Sequence, residues 1–163
     1  MDLEVNNYNV DTNSYTSSEN VEYTSYTYEP PTLKYVSNLE PLYKGTQGSA
    51  GLDLYAYSVD ITNRVIGTGV YLEIPQGWVG LVVPRSSTGN AGFKLRNTMG
   101  VIDADYRGEV LLSYDKTYTP TPGEKIAQLV VVPHWDGNIT RMESVADLST
   151  TERGSNGFGS TGG

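Results

Sequence analysis

From Leu33 onward this 163-residue chain is written in short β-prone runs, each cut off by Gly, Pro, Asn or Asp. No window keeps apolar residues at helical spacing for three turns. That combination leaves little besides an all-β domain. Strands are expected near 33–36, 52–57, 65–73, 78–83, 100–102, 109–114, 125–132 and 139–144, with loops between them. Helix is limited to about one turn after Pro84, where the proline ends a strand. Many short strands at this spacing predict a sandwich, jelly roll or barrel, architectures that host unrelated activities and so do not name one.

The two ends of the chain read differently. Residues 1–32 are rich in Asn, Ser, Thr, Tyr and Glu, repeat YTS at 15–17 and 23–25, and end in Pro30-Pro31. Such a segment buries little apolar surface and is expected to be a mostly disordered extension, although alternating Tyr and Thr also suit an edge strand docked on a partner. The body is then 33–148. Residues 149–163 include RGSNGFGSTGG, with five glycines in its eleven residues and no aliphatic side chain. Arg153 and Phe158 are the exceptions to a purely flexible tail, one a fork for phosphate and the other a flat ring among glycines. The expectation is an arm that orders over an aromatic, phosphorylated ligand.

Composition removes several classes of function. With no cysteine and His134 as the only histidine, there is no disulfide, thiolate site or multi-histidine cage. Any metal must be held by oxygen, which points to magnesium or calcium. The net charge of -8 argues against general nucleic-acid binding. Six of the 19 acidic residues lie before Lys34, so the rest carries 13 acidic against 11 basic residues and can build a local positive site for a small anion. No apolar run is long enough to span a membrane, and the first residues lack a secretory pattern, so an intracellular, cytoplasmic setting is expected.

The densest polar segment is GVIDADYRGE, 100–109. Asp103 and Asp105 are two apart, so an extended backbone points both to one side and Ala104 to the other. Flanked by Val101-Ile102 and Val110-Leu111-Leu112, they are expected at the tip of a hairpin with buried arms. AGLDLYA (50–56), PRSSTG (84–89), NTMG (97–100), GEKIAQL (123–129) and the tail motif RGSNGFGSTG complete the set. In order and spacing these closely resemble the motifs of the trimeric dUTP diphosphatase (dUTPase) family over about residues 34–163.

That resemblance implies a β-clip or jelly-roll subunit assembling as a homotrimer with shared active sites. The implied reaction is magnesium-dependent hydrolysis of dUTP to dUMP and pyrophosphate, which limits uracil in DNA and supplies dUMP for thymidylate synthesis. By motif match, Asp103 would be the base that activates water, and Asp53 would anchor Mg2+ through water. Arg85, Ser86, Ser87, Gln128 and Arg153 would hold the phosphates. Asn97, Gly100, Val101, Ile102, Tyr106, Leu111, Phe158 and Gly159 would bind base and sugar, with Phe158 and Arg153 reaching over from a neighbouring chain's arm. Gln128 reads equally well as an outward polar residue on an alternating strand. Arg107 is given no catalytic role. The chain departs from the commonest family pattern at Leu52, at Ser87-Thr88 and at Asn156. A dCTP deaminase shares the fold but lacks this type of arm, and a catalytically idle nucleotide sensor would need no water-activating carboxylate.

Overall fold

The structure is a computed structural model that describes residues 29–115 and 117–155. Eight strands dominate it: β1 (Lys34–Ser37), β2 (Leu52–Tyr55), β3 (Ser58–Asp60), β4 (Val65–Glu73), β5 (Trp78–Pro84), β6 (Gly100–Ile102), β7 (Glu109–Ser113) and β8 (Lys125–Pro133). One short helix, α1 (Ser86–Asn90), follows β5, and a 3-10 turn covers Val145–Asp147. All strand pairings are antiparallel and form two sheets. In the first, β4 is the spine, with β1 and β3 along one side and β7 along the other; in the second the order is β2-β8-β5-β6. The core is apolar, with Leu54, Ile66, Val82, Val110, Ile126 and Leu129 fully buried.

The spine strand carries an irregularity between Gly67 and Tyr71, where pairing to β7 skips. Gly69 sits there at φ +66, a conformation that favours glycine. Its N–H, lost to the ladder, donates to the Glu109 carboxylate at 2.7 Å, and the buried Thr68 hydroxyl donates to the Val110 carbonyl at 2.8 Å. Glu109 therefore serves the bulge rather than chemistry. Glu109→Ala is expected to cost about 1–3 kcal/mol by leaving a buried donor unpaired. A lower urea midpoint at unchanged slope, measured at fixed protein concentration, would show it.

Three expectations need correction. Residues 139–144 form no strand: the segment is exposed throughout, and among the described residues no neighbouring strand offers it a ladder. β-propensity expresses itself through pairing and burial, and neither is present. Conversely Ser58–Asp60, expected as loop, is the strand β3, because the long edge of β4 is there to pair with it. The arms of GVIDADYRGE do not pair with each other either. β6 joins β5 in one sheet and β7 joins β4 in the other, so the segment crosses between sheets, and Val101 and Leu111 stay more than half exposed. Each arm found a longer partner strand than the other arm could provide.

Candidate active site

PRSSTG folds as the turn its proline foretells. β5 ends at Pro84, Arg85 takes the N-cap position in an extended conformation, and α1 begins at Ser86. No side chain caps the helix, so its first amides have no intrahelical partner. Thr88 is buried; its hydroxyl donates to the Ile126 carbonyl at 2.9 Å and lies 3.1 Å from that of Arg85. This hydroxyl pins the turn to β8.

Beside the turn, Asp53 pairs with Gln128 in the β2-β8 register. The Asp53 carboxylate is nearly buried and is held from both sides: Arg85 Nε meets Oδ1 at 2.9 Å and Lys125 Nζ meets Oδ2 at 2.9 Å. Asp53, and then Tyr55, hold the Lys125 ammonium above its ordinary pKa, so it stays charged. Gln128 lies across the same corner, its amide donating to the Pro84 carbonyl at 3.3 Å. A Cβ at position 51 would collide with the Gln128 side chain, which explains the glycine of AGLDLYA. Gly51, Asp53, Arg85, Ser86 and Gln128 line one cleft of about 390 Å³. One cation, an amide, hydroxyls and unpaired helix amides around one cleft suit an anion with several oxygens.

Asp103 sits elsewhere. It and Asp105 are exposed on a turn while Ala104 packs against the core. The turn is braced twice: the Tyr106 hydroxyl donates to the Glu109 carbonyl at 2.9 Å, and Arg107 donates to the Ala104 carbonyl at 2.7 Å. Arg107 thus staples backbone rather than forming an ion pair. Asp103, Val101, Leu81, Val79, Trp78 and His134 line a second cleft of about 300 Å³. Trp78 and His134 carried no motif signal; they reach this cleft because β5 starts, and β8 ends, beside the end of β6. Asn97, in the turn before β6, is exposed, as are Val101, Tyr106 and Leu111, while Gly100 and Ile102 are half-buried.

Register places the two clefts at opposite ends of one sheet. Gly80 faces Ile102, so Asp103 lies beside Val79, whereas Asp53 and Gln128 lie level with Val83. Four residues along the strands and three strand spacings across, Asp53 and Asp103 of one chain are roughly 20 Å apart. A base that delivers water must hold it about 3–3.5 Å from the reacting atom. The anion corner and the carboxylate of the same chain cannot serve one small substrate.

Residues 38–162 match the family model described as dUTPase. The chain belongs to the dUTPase family. It is 41% identical over 133 residues to the deoxyuridine 5'-triphosphate nucleotidohydrolase of Escherichia phage T5, covering 72% of this chain and 88% of that one. The corresponding protein of Corynebacterium diphtheriae is 42% identical over 149 residues, covering 82% and 95%. Among solved structures, the dUTPase of Staphylococcus bacteriophage 80alpha with dUPNHPP superposes with a TM-score of 0.69 at 26% identity, covering 82% of this chain and 99% of that one. In this dUTPase, Arg153 is exposed on the C-terminal segment. Asn156, Phe158, Gly159 and most of the extension at 1–32 lie outside the described residues. No group of three or more metal-ligating acidic or histidine side chains occurs among the described residues, and no described helix is long and apolar enough to cross a membrane.

Proposed function

We propose that this protein hydrolyses dUTP to dUMP and pyrophosphate, with magnesium, at sites each built from two chains of a homotrimer. The observation that carries the proposal is the separation of two groups: the Arg85, Ser86 and Gln128 corner at one end of a sheet and the exposed Asp103 carboxylate at the other. The face between them supports assembly. Val79, Leu81 and Val83 of β5 alternate with the buried Gly80 and Val82, so they point away from the core, next to Val130 and Val132 of β8 and Val101 of β6. Strands that are apolar on both faces belong in sheets covered on both faces. Contact between two different patches of identical chains is heterologous, and such contacts form a ring where the rotation between neighbours closes.

In the assembled site, the corner of one chain takes the triphosphate and the Asp103 turn of its neighbour takes the nucleoside. Arg85, Ser86, Ser87 and Gln128 bind phosphate oxygens, joined by Arg153. Asn97 and the backbone of Gly100, Val101 and Ile102 pair with the uracil edge, and a slot bounded by Leu111 excludes a 5-methyl group by steric clash. Tyr106, fixed by its bond to the Glu109 carbonyl, lies against the deoxyribose where a 2'-hydroxyl would need room. Phe158 and Gly159 cover the base and exclude water. Asp103 then orients a water in line with the α-phosphorus and accepts its proton. The new bond forms from the water oxygen to phosphorus, the bond to the α-β bridging oxygen breaks, and pyrophosphate leaves with that electron pair.

The donor set at the corner fits magnesium held by the substrate rather than by the protein. Among the described residues Asp53 is the only carboxylate lining that cleft, and each of its oxygens is already ion-paired with a cation. Each oxygen retains a lone pair that can accept from metal-bound water. Magnesium keeps several waters and binds through phosphates plus one or two carboxylates, and when bound it would neutralise charge on the triphosphate. Incubation with magnesium and dUTP, dCTP, dTTP or UTP, with products separated by chromatography, tests the whole reading. Release of dUMP and pyrophosphate from dUTP alone, abolished by EDTA and restored by magnesium, is the expected result. Deoxyuridine products from dCTP would overturn it in favour of a deaminase, and dUTP binding without turnover in favour of a sensor.

A further inference from the structure

We propose that Lys125 is a positioning residue: by occupying one oxygen of Asp53, it keeps the Arg85 guanidinium presented to the substrate's phosphates. The inference rests on the dUTPase reading and deepens it. Arg85 touches Asp53 through Nε alone, and its two terminal nitrogens have no protein partner among the described residues. Arginine and carboxylate ordinarily prefer a two-point fork, in which both oxygens would engage the guanidinium. Here the second oxygen, Oδ2, is taken by Lys125 at 2.9 Å. An Asp53 with a vacant Oδ2 would draw the arginine into the two-point pairing and withdraw a donor from the cleft.

Local structure is built to put this ammonium where it is. Residues 125 and 128 lie on opposite sides of a regular strand, yet Lys125 reaches Asp53, whose register partner is Gln128. The register slips by one residue between Leu54 and Tyr55, which turns Lys125 to the Gln128 side. Its ammonium lies 5.8 Å from the Tyr43 ring centre and 5.6 Å from that of Tyr55. Tyr43 is itself tied in, its carbonyl accepting from the Asp53 N–H at 2.9 Å. Lys125 does not line the phosphate cleft, which places it behind Asp53 rather than against substrate.

The test compares wild type, Lys125→Met and Lys125→Arg by calorimetric titration with the non-hydrolysable analogue dUpNHpp and with dUMP, at saturating magnesium. Lys125→Met is expected to weaken dUpNHpp binding about tenfold, the worth of one hydrogen bond to a charged group. Binding of dUMP, which lacks the β and γ phosphates, is expected to be unchanged, and Lys125→Arg to recover most of the loss. In an Asp53→Asn background the same Lys125→Met change is expected to have no further effect, because it acts through Asp53. An unchanged dUpNHpp affinity in Lys125→Met overturns the proposal, as does an equal loss for dUMP. A fully additive loss in the Asp53→Asn background also overturns it, making Lys125 a direct phosphate ligand. If wild type hydrolyses dUTP and only these contrasts fail, the positioning role alone falls; a wild type that binds neither nucleotide overturns the dUTPase reading and this inference with it.

Discussion

Asp103→Asn is expected to lower kcat by about 10²–10⁴-fold, the usual worth of a positioned general base, while dUpNHpp affinity stays close to wild type. Asparagine has the same shape, yet its amide cannot take a proton from water. The substitution leaves the turn standing, because the brace does not involve the Asp103 side chain: Ala104 packs inward, Arg107 holds the Ala104 carbonyl and Tyr106 holds the Glu109 carbonyl. Single-turnover rates and analogue titration on the same preparation separate the two effects. Equal losses of binding and turnover would make Asp103 a substrate ligand and leave the base unidentified.

The second large effect concerns two inactive proteins that repair one another. Arg85→Ala removes the corner's principal cation and is expected to be nearly inactive, as Asp103→Asn is. In one chain those positions lie at opposite ends of the sheet, so in the proposed assembly each active site would draw Asp103 from one subunit and Arg85 from the next. Unfolding equal amounts of the two variants together and refolding them should give mixed rings. Chance pairing then restores both groups at about a quarter of the sites, and activity should return to about that share of wild type. Mixing the two folded proteins without unfolding provides the baseline. A site contained in one chain would stay inactive however the chains are mixed.

How far the sequence carried can be judged residue by residue. β4, β6 and the turn after Pro84 were legible because alternation, proline and glycine act locally. Asp103 and Asp105 are both exposed, but on a turn rather than on the extended backbone that a period of two assumes. What escaped were features decided by partners far away in sequence. The crossing of GVIDADYRGE between sheets depends on β5 and β4 being available, and the absence of a strand at 139–144 depends on no ladder being there. Lys125 was invisible as a site residue because its reach to Asp53 needs a register slip that no local pattern announces. Thr88 read as a departure from a motif and proved to be a buried tie between turn and strand.

The apolar face formed by Val79, Leu81, Val83, Val130 and Val132 has a bearing on how the protein is made. A newly synthesised chain carries that face partly exposed beside the edge of β6, and an apolar sheet surface next to an unpaired edge is a template for aggregation. In the proposed homotrimer, encounter with sister chains therefore competes with precipitation from the moment of folding. Soluble yield should depend on synthesis rate and temperature in the cell more steeply than the stability of the finished assembly suggests. A polar residue at Leu81 would ease that race and forfeit the contact that ends it.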